Sequence, residues 1–342
     1  RRQRQMCIRD RIKDSSNFVG GKENGPWFSY LLNGKLESKG FFKEGVEDST
    51  WTWFENGNQK IVGNFKLGKR NGKWLYNYSE TGKTEHIAYF KDDLKDGEWT
   101  YYYPTNQKLR VAHFKNDKRN GLWTVLFKDG KKDHEGNFKD DKENGTWTSW
   151  HKNGRIKEKG DFKMGVIDGN WKGFYSTGND EYVANYKDGV KDGYYAKHFN
   201  NGNPGIKCNY SNGLLTGNYE VYHDKGIFIR EKGEYKVIEI KSDSVRASLK
   251  GTDVLARFRT KTHESVKTGT WIVFWDGTYR PNQEVSYKDG AYHGKFTSYY
   301  SNGKVKSVVP YKKGRRNGKA KFYNKKGEML KKVKYKDDNT VK

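Results

Sequence analysis

The chain has 342 residues, of which 33% are hydrophobic and 32% are Asp, Glu, Lys or Arg, with a formal net charge of +25 at pH 7. No apolar run approaches the roughly 20 residues of a helical membrane span, and two cysteines are too few for a disulfide-stapled scaffold. A mean hydropathy of −1.12 leans toward disorder, yet the 15% aromatic residues recur at fixed spacing, which indicates a folded chain.

The first eleven residues do not match the rest of the chain. Residues 1–11 resemble a translated sequencing-adaptor tail, and we interpret them as an artefact that precedes a single repeat array over residues 12–342. Phe18 precedes Gly25 by seven residues, as Phe42 precedes Ser49, so Phe18 is predicted to end a repeat whose first half is missing. The sequence therefore leaves the cellular compartment open.

A glycine followed two residues later by an aromatic residue recurs along the chain, mostly every 24 residues, with serine in place of the glycine in one copy and alanine in place of the aromatic residue in the last. We call these positions the repeat glycines: Gly25, Ser49, Gly72, Gly97, Gly121, Gly145, Gly169, Gly193, Gly217, Gly269, Gly294 and Gly318. Eight of the eleven tryptophans lie two residues after a repeat glycine. Such regularity predicts one array, in which each repeat buries its apolar side against its neighbours.

Each repeat also contains a Phe or Tyr 16 to 18 residues after its glycine. A small residue lies two positions before it, as in Gly136 before Phe138, except in the last three repeats, which have valine there. Residues two apart share a face of a strand, so the small residue leaves room for a large aromatic residue. Pairs such as Asn33-Gly34 and Asn56-Gly57 separate the two halves of a repeat and predict type I′ hairpin turns. No helical period is present. We therefore predict an all-β, elongated, single-layer antiparallel β-hairpin repeat stack with essentially no helix.

The aromatic residues five positions after the repeat glycine include Tyr102, Trp150, Phe174 and Tyr222. The residues five positions and two positions after the glycine are three residues apart, so a regular strand would place them on opposite faces. Either a bulge brings both sets to one face, or the sheet is aromatic on both faces. In the second case these residues are candidate contacts for a partner.

The array is interrupted once, between 237 and 268, where Phe258 is the only aromatic residue. Apolar and polar residues still alternate there, which predicts a degenerate hairpin. It is either a decayed repeat or a distinct contact surface. Its basic residues are further candidate partner contacts: Arg246, Lys250, Arg257, Arg259 and Lys261.

The segment 65–74, Phe-Lys-Leu-Gly-Lys-Arg-Asn-Gly-Lys-Trp, and its counterpart at 311–319 resemble the MORN repeat in its bacterial variant form. The resemblance extends over residues 18–342 and departs from the usual pattern where Trp stands in place of the second glycine of a Gly-x-Gly. It implies a β-hairpin stack that acts in scaffolding, protein contact or anionic-lipid contact. Some bacterial variants of this kind are antitoxin-like.

No pattern of residues indicates catalysis, a metal site or a cofactor. The Gly63–Lys69 segment lacks the Ser or Thr of a phosphate-binding loop, and the eight histidines lie at scattered repeat positions. We therefore expect a non-enzymatic protein without a small-molecule substrate, whose partner is a protein. Without residues 1–11 the charge is still +21, so a polyanion such as an anionic lipid, a cell-wall polymer or a nucleic acid is the alternative partner.

Overall fold

The computed structural model describes the backbone of residues 2–8, 11–224, 226–248 and 255–341, and the side chains of residues 13–224, 226–240 and 262–341. It divides into an N-terminal unit, Arg1–Val166, and a C-terminal unit, Ile167–Lys342. Every regular element in these described ranges is a β-strand, which confirms the predicted all-β repeat fold. A helix suited to crossing a membrane is not found in the described part of the chain.

The N-terminal unit is an antiparallel sheet in which consecutive hairpins pair side by side. Residues 2–8, which fall in the segment interpreted as an artefact, pair with the strand that contains Phe18. Its strands are β1 (Arg2–Ile8), β2 (Arg11–Val19), β3 (Lys22–Tyr30), β4 (Leu36–Lys43), β5 (Val46–Glu55), β6 (Asn58–Lys66), β7 (Lys69–Arg70), β8 (Gly72–Asn77), β9 (Thr84–Lys91), β10 (Leu94–Lys95), β11 (Gly97–Tyr102), β12 (Lys108–Lys115), β13 (Lys118–Leu126), β14 (Lys132–Lys139), β15 (Lys142–Glu143), β16 (Gly145–Trp150) and β17 (Ile156–Lys163).

The C-terminal unit repeats this plan with one exception, a pair of strands of 20 residues each. Its strands are β18 (Val166–Phe174), β19 (Asp180–Lys187), β20 (Val190–His198), β21 (Pro204–Ser211), β22 (Leu214–Tyr222), β23 (Ile229–Ser248), β24 (Leu255–Phe274), β25 (Pro281–Lys288), β26 (Ala291–Tyr299), β27 (Val305–Lys312), β28 (Arg315–Arg316), β29 (Gly318–Tyr323), β30 (Met329–Lys336) and β31 (Asn339–Val341). The interruption between 237 and 268 is where β23 and β24 continue past the length of the other strands.

The hairpin turns inside the repeats differ from the prediction. Among the Asn-Gly and Asp-Gly pairs inside the repeats, two consecutive positive φ angles occur at Asn56 (51°) and Gly57 (84°). The type I′ prediction is therefore confirmed at that pair and is wrong for the other pairs inside the repeats. At Asn33-Gly34 the amide of Gly34 donates to Leu31 O at 2.8 Å, and only Gly34 has a positive φ, 82°. This is a three-residue loop that ends in a left-handed glycine. The Asn33 side chain accepts a hydrogen bond from the amide of Lys35 at 3.0 Å, which explains the preference for Asn.

Type I′ geometry instead belongs to the turns between repeats. Leu67 and Gly68 have φ angles of 54° and 77°, and they connect the paired residues Lys66 and Lys69. The same two-residue turn recurs at Asp188–Gly189 and at Asp289–Gly290. The tight turns therefore hold one repeat against the next.

The core lies on one face of each unit's sheet, which we call the first face. There the tryptophan of one repeat covers the small residue of the preceding strand. A Cβ atom added to Gly63 would lie 2.2 Å from the Trp74 ring, and one added to Gly136 would lie 2.1 Å from Trp147. The indole of Trp74 donates to the backbone oxygen of Asn64 at 3.2 Å. The predicted role of the small residues is thus confirmed.

Candidate functional site

The opposite side of the sheet, which we call the second face, also carries aromatic residues. In the C-terminal unit, Tyr219 packs on the first face with its ring centroid 5.8 Å from that of Trp271. Tyr222 lies on the other side, where its hydroxyl donates to Glu220 Oε2 at 2.5 Å and the Lys207 ammonium is 5.2 Å from its ring centroid. Of the two alternatives for the aromatic parity, the sheet that is aromatic on both faces is therefore correct here.

The four candidate aromatic residues do not form one exposed platform. Tyr222 is buried, and burial together with the Glu220 hydrogen bond raises the pKa of its hydroxyl. Tyr102, Trp150 and Phe174 are half-buried. In the N-terminal unit, Leu126 occupies the equivalent position between Tyr102 and Trp150. The structure places these residues at matching positions of separate repeats and does not bring them together.

The candidate basic residues lie on the long hairpin of β23 and β24. Arg246 and Arg257 are cross-strand partners, whereas Arg259 pairs with Asp243 and Lys261 with Lys241. The twelve residues 237–248, at roughly 3.4 Å each, extend β23 by about 40 Å. Lys250 lies outside the described residues. The hairpin therefore brings Arg246 and Arg257 to one position of the ladder.

A surface that the sequence did not indicate runs along the middle of the second face in the N-terminal unit. Seven consecutive cross-strand partners there are uncharged, and we call them the uncharged row. It consists of Thr52, Val62, Leu75, Ile87, Thr100, Val111 and Thr124, each paired directly with the next. At 4.7–4.9 Å between strands, the row is about 29 Å long.

The uncharged row is bounded by charge at both ends. Lys39 pairs with Thr52 at one end, and Glu135 pairs with Thr124 at the other, where Thr124 Oγ1 donates to Glu135 Oε2 at 2.9 Å. The three threonines are buried, and the four aliphatic residues are half-buried. Three exposed apolar residues lie near the row on the same face: Phe41, Tyr89 and Leu122. Charged residues also flank it, among them Lys73, which pairs with Tyr89, and Glu98, whose Oε1 accepts a hydrogen bond from Thr100 at 2.9 Å. A stretch this long without charge is unusual in a chain with 32% charged residues.

The first face behind the uncharged row is rigidly packed. The His86 ring stacks between Tyr76 and Tyr101, at centroid distances of 4.1 and 5.2 Å, and the Arg110 guanidinium lies 4.0 Å from the Tyr101 ring centroid. Burial lowers the pKa of His86, and the charge of Arg110 lowers it further, which favours the neutral imidazole. Ile87 is therefore held on a strand whose other side is fixed by stacked rings.

The equivalent row of the C-terminal unit is charged. Ala196, Lys207, Glu220 and Lys232 follow one another there as direct cross-strand partners. Nearer the C-terminal end, burial and a hydrogen bond to Glu284 raise the pKa of Tyr299 to about 12. The register of pairing decides which residues meet along a row, and spacing within one strand does not contain that information. This is why the sequence did not indicate the uncharged row.

Comparison with known proteins identifies the repeats. Four segments match the family described as "MORN repeat variant": residues 23–44, 95–116, 143–164 and 292–313. No curated protein matches the chain. A solved structure entitled "Crystal Structure of TcdB2-TccC3-Cdc42" is similar at 9% identity over 96% of this chain and 18% of that chain, with a TM-score of 0.16. The chain spans less than a fifth of that protein, and a TM-score this low carries no argument about fold or function.

Proposed function

The chain belongs to the MORN-repeat family, and from this premise we propose that it is a non-enzymatic scaffold that binds a protein partner through the uncharged row of its N-terminal unit. MORN repeats are generally associated with protein or membrane binding. The observation that carries the proposal is the run of seven uncharged cross-strand partners from Thr52 to Thr124.

An uncharged surface favours a protein over a polyanion. Protein interfaces are depleted in charged residues at their centre and enriched in aromatic residues, as in this row with Phe41, Tyr89 and Leu122 beside it. A polyanion binds through lysine and arginine, and the row contains neither. The charged ends, Lys39 and Glu135, would fix the register of a partner with complementary charges.

The antitoxin-like role that the resemblance implies is one form of this binding. A toxin would then be the protein that covers the uncharged row. A protein that binds through a preformed, rigid surface loses little conformational entropy on association, which suits an inhibitor.

The test places a charge at the centre of the row. The double substitution Leu75→Glu and Val111→Glu should abolish partner binding, because two carboxylates would be desolvated against an apolar surface. Val183→Glu and Val308→Glu in the equivalent row of the C-terminal unit form the matched control, since they also replace half-buried aliphatic residues of the second face by glutamate.

The measurement has two stages. Proteins captured by the wild-type chain and by the control, but not by the row variant, are identified by mass spectrometry and then purified. The affinity of the purified partner for the three chains is measured by calorimetry, with unfolding curves to verify folding. Equal affinity for the row variant and the wild type would refute the proposal. Self-association of the purified wild-type chain that the row variant loses would identify a second copy as the occupant and would also overturn it.

A further inference from the structure

The last hairpin of the C-terminal unit carries four lysines that face one another. Lys319 pairs with Lys334, and Lys321 pairs with Lys332, all on the second face between β29 and β30. We call these four residues the lysine tetrad. Together with Val333 and Val341 they line an open depression of about 640 Å³.

Like charges opposite each other in a sheet are destabilising, so this arrangement works against folding. Other hairpins place complementary groups at the same two positions. The His113 Nε2 and Glu98 Oε2 atoms are 3.8 Å apart at the position of the first lysine pair. Thr124 donates to Glu135 at the position of the second. The tetrad is therefore not a general feature of the repeat.

No acidic side chain of the described structure neutralises the tetrad. The last hairpin and its turns contain three acidic residues, and each is engaged elsewhere. Glu328 accepts a hydrogen bond from Asn324, Asp337 accepts one from Asn317, and Asp338 forms an ion pair with Arg316 at 3.0 Å. All four ammonium groups are exposed, and none has an ion pair among the described residues.

We propose that the lysine tetrad is a binding site for a compact, multiply charged phosphate anion, such as a free di- or triphosphate group. Lysine binds phosphate as a flexible point charge, and four ammonium groups match the charge of such an anion. Cross-strand partners lie about 5 Å apart, and residues two apart along a strand lie about 7 Å apart. The four Cα atoms therefore lie at the corners of a small rectangle.

The surroundings of the tetrad favour a compact anion over a long polymer or a membrane. Val308 is the next cross-strand partner beyond Lys321, and Val341 is the partner beyond Lys334. The directly paired lysines thus form a block two strands wide, interrupted by Val308 in one row and by Val341 in the other, whereas a nucleic acid or a bilayer requires a longer basic stripe. The site is in the C-terminal unit and does not depend on the proposed protein contact of the N-terminal unit.

Inorganic tripolyphosphate is the probe for the test, added to the full chain at low salt. Three proteins are compared by calorimetry and thermal unfolding. They are the wild type, a tetrad variant in which the four lysines become Gln, and a control in which Lys91, Lys115, Lys139 and Lys163 become Gln. Both variants lose the same charge. Tripolyphosphate should bind the wild type and the control with similar affinity. For the tetrad variant, its dissociation constant should be at least about tenfold higher.

Unfolding without ligand provides a second readout. The tetrad variant should melt above the wild type because the repulsion is removed, and the control should not. K321E, which creates an opposite-charge pair with Lys332, should likewise raise the melting temperature and weaken tripolyphosphate binding. The proposal is overturned if tripolyphosphate does not bind, if both quadruple variants lose affinity equally, or if only phosphatidylglycerol vesicles or single-stranded oligonucleotides bind the tetrad.

Discussion

The repeat glycine is required by its backbone conformation. Its φ angle is positive in every described repeat, for example 80° at Gly145 and 106° at Gly121, and an L-residue there is strained. Ser49, with a φ of 61°, replaces the glycine in one repeat. The sequence showed that this position is special, but the spacing alone could not show that the reason is a left-handed residue immediately before the tryptophan strand.

Relief of this strain can be measured at Ser49. We expect Ser49→Gly to stabilise the chain by about 0.5–1 kcal/mol, because glycine adopts a positive φ without a steric penalty. Gly145→Ala should do the reverse and cost about 1 kcal/mol. No atom lies within 4 Å of a Cβ at Gly145, so its cost would come from the backbone alone. Unfolding by denaturant measures the free energy of unfolding of both variants. If Ser49→Gly were less stable than the wild type, the φ of Ser49 would not be strained.

Packing of the first face makes a separate prediction at Gly136. Gly136→Leu should cost about 1–3 kcal/mol, because its side chain would overlap the Trp147 ring. Gly136→Ala is the milder comparison, since Ala88 and Ala112 occupy the same position in other repeats with no exposed surface. Thermal unfolding of the two variants shows whether the leucine variant is the less stable one. An unchanged melting curve for the leucine variant would mean that Gly136 does not contact Trp147.

The turn between repeats is the element that joins the array. In several turns an Asp takes the second left-handed position and bonds the preceding repeat. Asp93 Oδ1 accepts from the backbone amide of Arg70 at 2.9 Å and from its Nε at 3.2 Å, while the Arg70 guanidinium lies 4.1 Å from the Phe90 ring centroid. Arg119 and Asp141 repeat this arrangement. These two turns therefore each connect two repeats through an ion pair, a backbone hydrogen bond and a ring contact.

Sequence patterns predicted these elements only in part. Periodicity predicted the strands, the spacing of the repeats and the small residues beneath the tryptophans, because each of these is a property of one strand. Type I′ turns were assigned to pairs such as Asn33-Gly34, although Leu67-Gly68 and Asp92-Asp93 have that geometry. The role of such an Asp at positive φ can be recognised only once its partner, 22 or 23 residues earlier, is known. For the same reason the uncharged row and the lysine tetrad required the pairing register.

Acid should loosen the turns between repeats. The backbone hydrogen bond from Arg70 lowers the pKa of Asp93, and the bond from Arg119 does the same for Asp141. A depressed folded-state pKa means that the stabilisation is present above the unfolded value of about 3.9 and is lost as pH falls through the folded value.

The double variant D93N/D141N tests this linkage. It should melt below the wild type at pH 7, and the difference should shrink as the pH falls below about 4. D92N/D140N removes the same charge from the neighbouring turn residues and is the control. A difference between D93N/D141N and the wild type that stays constant with pH would show that the carboxylates do not contribute through their charge.

Charge is distributed unevenly over the whole molecule. The net charge of +25 contrasts with the uncharged row of the N-terminal unit. In the C-terminal unit, the sequence places five basic residues and one acidic residue between 246 and 261, and four further lysines form the lysine tetrad. The uncharged row and the lysine tetrad are therefore two surfaces with different chemistry, and ionic strength separates an apolar contact from a basic one.

The long hairpin makes the last prediction. We expect the long hairpin to add a basic contact to the one that the uncharged row makes. Reversal of Arg246, Arg257, Arg259 and Lys261 to Glu should therefore weaken partner binding more than reversal of Lys91, Lys115, Lys139 and Lys163, because near-identical repeats are redundant and this hairpin is distinct. The loss should be larger at about 50 mM salt than at about 500 mM, since exposed charges are screened over a few ångströms at the higher value. The Leu75→Glu and Val111→Glu substitutions should instead reduce affinity at both concentrations. Titrations of the same purified partner at the two salt concentrations measure all three effects. Equal losses from the two charge-reversed sets would indicate a distributed basic contact and would contradict a special role for the long hairpin.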